Sequence, residues 1–148
     1  MIQPFSDEYF MGKALEEAKK AFDEGEVPVG CVVVVQNRII ARTHNLTETL
    51  TDVTAHAEIQ AITAAANLLG GKYLTDCTIY VTVEPCLMCA GALNWSQIKK
   101  VVFGAYDPKR GYSQTAPKAL HPKTEITGRV LEEDCARLMS LFFSTKRN

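Results

Sequence analysis

Two hydrophobic periods alternate along this chain, and the switches between them mark its elements. From Asp7 to Asp23, the positions Phe10, Ala14, Leu15, Ala18 and Phe22 fall near helical spacing, with Ser6 placed to cap the start and Gly25 to stop the end. Gly30 to Gln36 is then almost wholly Cys and Val, the pattern of a strand buried on both faces, and Asn37-Arg38 reads as the turn into a second strand over Ile39 to Arg42. His56 opens a run of strong helix formers, Ala57 to Leu69, closed by Gly70-Gly71. Thr78 to Val83 is a strand that leads directly into Glu84-Pro85-Cys86. Pro85 suits the first turn of a helix running from Cys86 to about Trp95, because its missing N–H is no loss there. Lys100 to Gly104 is a fourth strand, Glu125-Ile126-Thr127 a further strand candidate, and Leu131 to about Lys146 a closing helix.

This order predicts an α/β fold, a three-layer α/β/α sandwich on a mixed β-sheet, with an antiparallel early hairpin and later parallel strands joined by right-handed crossovers. The 148 residues, 47% of them hydrophobic, suit one domain over 1–148 that buries about 68–70% of its unfolded surface. The N-terminus lacks a basic and apolar leader, and no apolar run reaches the roughly 18 residues of a membrane span, so the expectation is a cytoplasmic protein with no membrane partner. Five cysteines, an odd number, argue against a disulfide framework and fit a reducing compartment. Cys31 and Cys77 read as strand residues of the core.

The chemistry concentrates in His56-Ala57-Glu58 and Pro85-Cys86-Leu87-Met88-Cys89. One imidazole and two thiols three positions apart can hold a zinc ion and leave a position open for water. Each half opens a helix, so two helix N-termini add positive partial charge that favours thiolate, by roughly 0.3–1 kcal/mol each. Residues i and i+2 lie about 200° apart on a helix, which removes Glu58 from the ligand set beside His56 and leaves its carboxylate free to move protons. Zinc lowers the pKa of its water to about 7, making hydroxide available at neutral pH. His-x-Glu followed by Pro-Cys-x-x-Cys is the signature of zinc deaminases, in which the glutamate is general acid and base. A closed structural zinc site would need a fourth sulfur or imidazole, and Cys31, Cys77, Cys135, His44 and His121 lie in other contexts.

Further stretches extend the pattern: Gly25-Glu26-Val27-Pro28-Val29-Gly30, His44-Asn45-Leu46, Thr54 to Ile59, Tyr80 to Ala92, Val101 to Ala105 and Phe142-Phe143. Through them, along nearly its whole length, the chain resembles the cytidine deaminase-like superfamily and, within it, the bacterial tRNA adenosine deaminases. The resemblance implies a homodimer that converts the wobble adenosine of a tRNA anticodon stem-loop to inosine. It implies that His56, Cys86 and Cys89 bind one zinc per subunit. It further implies that Glu58 carries protons to the ring nitrogen and the leaving ammonia, that Asn45 and the Ala57 backbone N–H hold the base, and that Pro28 and Val29 line the pocket. From the residues alone, Asn45 also has a lesser reading as a turn residue, and Pro28 and Val29 equally shape the approach to the buried strand.

The segment Tyr106 to Pro122 departs from the family pattern, lacking its Gly-Ser-Leu-Met run and its longer loop, which withdraws the expectation of RNA contacts there. Trp95 also departs; it resembles the guanine deaminases at that position and is expected to pack along the third helix or alter the pocket wall. The alternative reading is therefore a deaminase of a free base or nucleoside of guanine or cytosine type, and a third is a zinc scaffold without catalysis. Charge is lopsided: residues 1–98 hold 6 Lys and Arg against 12 Asp and Glu, and 99–148 hold 10 against 5. Lys109, Arg110, Lys146 and Arg147 are among the cations available to guide a phosphate backbone, unless they form only a solvated face. Phe142 and Phe143 are expected to pack a helix face or to stack on a base. Leu87, Ala90, Leu93 and Asn94 mark a helix face for pairing across a two-fold axis or for the core.

Overall fold

In the computed structural model, which describes residues 1–146, five strands form one sheet in the order β2-β1-β3-β4-β5. The elements are α1 (Asp7–Asp23), β1 (Gly30–Val35), β2 (Arg38–His44), α2 (Ala57–Leu69), β3 (Thr78–Val83), α3 (Leu87–Ser96), β4 (Lys100–Ala105), α4 (Tyr112–Thr115), β5 (Glu125–Thr127) and α5 (Glu132–Lys146). β1 pairs antiparallel with β2 and β3, while β3–β4 and β4–β5 are parallel. The sheet is mixed, as the alternation of strands and helices predicts. The candidate strand at 125–127 forms as the outermost strand.

Period-two alternation sends the strand residues to two separate cores. Cys31, Val33, Ile79, Val81, Val101 and Phe103 meet α2 and α3 through Ala61, Ala65, Ala90 and Leu93. Val32, Val34, Tyr80 and Val102 meet Phe10, Met11 and Ala14 of α1 and Cys135 of α5 on the other face. These are the three layers. Close approach of α1 to the sheet explains Gly30: any Cβ there would run into the Ala14 carbonyl and the Ala18 amide. Among the described residues no helix is long and apolar enough to cross a membrane.

The structure corrects three local expectations. The hairpin turn is Gln36-Asn37, both at positive φ (50° and 62°), so Arg38 already pairs with Val35. A two-residue loop with left-handed conformation at both positions matches the strand twist, and that demand overrides the stronger turn preference of Asn37-Arg38. Pro85 stands outside α3, not in its first turn: Cys86 is the N-cap, with extended backbone at φ −74°, ψ 174°. Long-range pairing holds it extended, since Cys86 bridges to Gly111 and the Pro85 carbonyl accepts from the Tyr112 amide at 2.9 Å. Cys77 is buried but lies just before β3 instead of within it.

Candidate active site and metal centre

The carboxyl end of β3 and the N-termini of α2 and α3 converge on one point. His56 caps α2 and Cys86 caps α3, both with extended backbone, and neither side chain bonds its own helix. An N-cap side chain normally satisfies a first-turn amide. Here the imidazole and the thiol stay free to face one another, and the helix ends contribute positive partial charge. Gln60 fixes the approach to α2, its Nε2 donating to the carbonyls of His44, Ala55 and His56 at 2.8, 3.1 and 3.4 Å.

His56 Nδ1 lies 3.7 Å from Cys86 Sγ and 3.5 Å from Cys89 Sγ, and the three ligand atoms all lie within 4.8 Å of one another. Tetrahedral zinc with Zn–N of about 2.05 Å and Zn–S of about 2.3 Å requires N···S separations of about 3.6 Å. The triangle therefore fits zinc at three corners, and among the described residues no other His, Cys, Asp or Glu joins the group. The protonation of the thiols points the same way. Cys86 falls to about 4, first through its hydrogen bond with Cys89 and against the opposing effect of burial. Cys89 rises because it shares that proton with Cys86 and is buried. One thiolate is what the protein stabilises alone; the second calls for a cation between them.

Glu58 is only 3% exposed and lies outside the ligand triangle, as its helix position predicts. Burial is the main force on its carboxyl, which is pushed up to about 7; the Cys86 thiolate adds to the rise, and His56 opposes it. A divalent cation beside it would draw it back down. The group thus sits in a setting where it can exist in either protonation state.

His56, Ala57, Glu58 and Cys86 line a cleft of about 870 Å³, with Cys89 buried beneath. Val29 and Asn45 also face it. Pro28 does not; it is buried, and Val27 is the residue beside Val29 on the wall. Tyr106 to Arg110, the first part of the Tyr106–Pro122 segment that departs from the resemblance, also line the cleft, together with Met139 and Phe143 of α5. The segment is held there by Glu84, a buried carboxylate that no local sequence pattern marks. Glu84 accepts from the amides of Asp107 at 3.1 Å and Ser113 at 3.0 Å, and a side chain at Gly111 would collide with it. Lys109 and Arg110 thereby join the rim, whereas Lys100 pairs with Asp7 and Arg129 with Glu132. Phe142 packs against Phe22, so of the two terminal phenylalanines it is Phe143 that lines the cleft, as Tyr106 also does. Arg147 lies outside the described residues.

Trp95 is neither a packing residue nor part of the wall. It is 85% exposed on the outer side of α3, which turns Ala90 and Leu93 to the core and leaves Leu87 and Met88 outside with it. Asn94 donates to the Ala119 carbonyl at 2.8 Å.

Residues 4–105 match the cytidine and deoxycytidylate deaminase zinc-binding region. The chain is 48% identical over 146 residues to a tRNA-specific adenosine deaminase of Bacillus subtilis strain 168, spanning 95% of this chain and 91% of that one. It is 46% identical over 146 residues to the tRNA-specific adenosine deaminase of Aquifex aeolicus strain VF5, at 95% and 96% coverage. A structure solved in work on A-to-I editing by tRNA:A34 deaminases at the wobble position of transfer RNA superposes with a TM-score of 0.82. It shares 40% identity and covers 88% of this chain and 98% of that chain.

Proposed function

The chain belongs to the cytidine and deoxycytidylate deaminase zinc-binding family, and we infer from that membership that it is a zinc-dependent hydrolase converting adenosine to inosine at the wobble position of a tRNA anticodon. One observation carries the reading: the His56, Cys86 and Cys89 triangle sits beside a buried, unligated Glu58 in a chain that matches tRNA-specific deaminases over 95% of its length. Zinc bound there supplies Lewis acidity and a hydrolytic water at neutral pH. The reaction takes adenosine and water to inosine and ammonia. Glu58 moves the proton, first to the ring nitrogen and then to the departing ammonia. Ala57, the first helical residue of α2, has a backbone N–H without an intrahelical partner to offer the base. Asn45 meets the base edge, and Val29 forms the wall behind it.

Lys109 and Arg110 on the rim suit a phosphate backbone, and Phe143 offers an aromatic face to an unstacked base. Trp95, the position at which the chain resembles the guanine deaminases, is on the outer side of α3 and does not line the cleft, so it lends the free-base alternative no support. Zinc-loaded protein given an anticodon stem-loop with a wobble adenosine should yield inosine. Untouched RNA together with ammonia released from free guanine or cytosine would reverse the order of the two readings.

We further propose one catalytic domain over 1–148, at work in the cytoplasm, where its substrate and its free thiols both belong. A second copy of the chain is the natural cover for Leu87, Met88 and Trp95 on α3 and for Leu68, 64% exposed, on the neighbouring α2. The protein should then sediment at twice the chain mass of 16.3 kDa, and Trp95→Asp should halve it. Trp95 is the chain's single tryptophan, so dilution of the wild type should shift its emission to the red as that face meets water. A monomer at micromolar concentration would remove the dimer.

A further inference from the structure

Glu26 is 0% exposed, and the ion pairs among the described residues include none to it. A carboxylate so placed is costly unless its oxygens are saturated with donors. They are. Oε1 accepts from the Glu48 amide at 3.0 Å, and Oε2 from the Thr49 amide and hydroxyl, both at 2.7 Å. Asn45 Nδ2 stands 3.5 Å from Oε1 and 3.3 Å from Thr47 Oγ1. Burial works to protonate Glu26, and these hydrogen bonds outweigh it, holding the carboxyl below the ordinary range.

The position gives this cluster its meaning. Glu26 immediately precedes Val27 and lies close in sequence to Val29, and Asn45 and Thr47 complete the same wall of the cleft. The backbone of Asn45 is tied to Val29, its amide donating to the Val29 carbonyl at 3.0 Å. Backbone pairing fixes where Asn45 begins; among the described residues, Glu26 and Thr47 are the hydrogen-bond partners that orient its amide group. All the contacts of Glu26 are donors, so a neutral amide in its place would turn an N–H₂ toward at least one of them.

We propose that Glu26 is a positioning residue for deamination: its carboxylate holds Asn45 and the Thr47–Thr49 turn as one preset wall for the base. The proposal rests on the reading of Asn45 as a base-binding residue. Glu26 touches neither the ligand triangle nor Glu58, so it acts on how substrate is received and not on the chemical step.

The test combines kinetics with amide exchange. Glu26→Gln should raise KM for the wobble-adenosine stem-loop about tenfold, leave kcat within about threefold, and leave zinc content per chain unchanged. In an Asn45→Ala background the same substitution should change kcat/KM less than about twofold, because the group it positions is gone. An equal loss in both backgrounds would make Glu26 a plain structural residue and overturn the proposal, as would an unchanged KM. Thr49→Val, which removes one donor without disturbing the charge, should raise KM by about two- to threefold and covers the case in which Glu26→Gln does not fold; no rise would overturn the proposal.

Exchange of the Glu48 and Thr49 amide protons needs no substrate, and Glu26→Gln, or Thr49→Val for the Glu48 amide if the first does not fold, should accelerate it. Wild-type protein inactive on the RNA but protected at these amides would sink the functional reading and leave the clamp standing. Unchanged exchange would sink the clamp whatever the substrate.

Discussion

Replacing Glu58 with Gln is expected to lower turnover on the anticodon stem-loop by about 10²–10⁴ while zinc remains at one per chain. The expectation separates two jobs that lie close together in space. The three ligand atoms converge without any contribution from Glu58, so its loss leaves metal affinity in place. What disappears is a buried carboxyl on the cleft, pushed up to about 7, that can take and return a proton. Stability should move the other way. In the metal-free protein burial raises Glu58 and penalises its ionised form, so a neutral amide of the same shape should leave the melting temperature of the stripped protein unchanged or slightly raised. Single-turnover rates, metal analysis and thermal unfolding on the same preparation check all three. Wild-type turnover would take Glu58 out of the mechanism, and loss of zinc would make it part of the metal site.

The pattern of apolar residues carries information of two kinds, and only one of them reaches the site. β3 and α1 follow directly from local signals: Thr78–Val83 is an unbroken strand run, and Ser6 caps Asp7–Asp23 with its side chain accepting from the Tyr9 amide at 3.1 Å. The metal ligands are legible for the same reason, because His56 and the Cys86/Cys89 pair announce themselves by spacing. Glu26 and Glu84 are not. A lone glutamate in a sequence reads as a surface charge, since burial of carboxylates is rare. Their burial depends on amides some 22 to 29 residues away, at Glu48, Thr49, Asp107 and Ser113. The same blindness put Pro85 inside α3, because the partners that keep Cys86 extended are Gly111 and Tyr112. The outward position of Trp95 is illegible for another reason: α3 is apolar on nearly every side, and periodicity cannot tell an inner face from an outer one on such a helix. The four-residue α4 is too short to carry a period at all.

Removing the metal should abolish activity and also soften the fold, whereas removing a neighbouring buried thiol should do neither to the same degree. Cys89→Ala is expected to reduce bound zinc to background and turnover with it, because a pair of ligands no longer closes the triangle. Chelation of the wild type should reproduce that loss, and added zinc should reverse it. Metal at a thousand times its dissociation constant contributes about 4 kcal/mol to the folded state, which for a chain of this size is a fall on the order of 10 °C in melting temperature when it is stripped. Cys31→Ala is the informative comparison. Cys31 is as fully buried as Cys89, and burial first and the nearby Glu58 carboxylate second raise its thiol, yet it is not one of the converging ligands. Its truncation leaves a cavity in the α2 side of the core and lowers the melting temperature, but zinc per chain should stay at one. If Cys31→Ala lost zinc as Cys89→Ala does, a third thiol would have to be counted among the ligands. The position kept for water would then be filled by sulfur, and hydrolysis at this centre would have no opening.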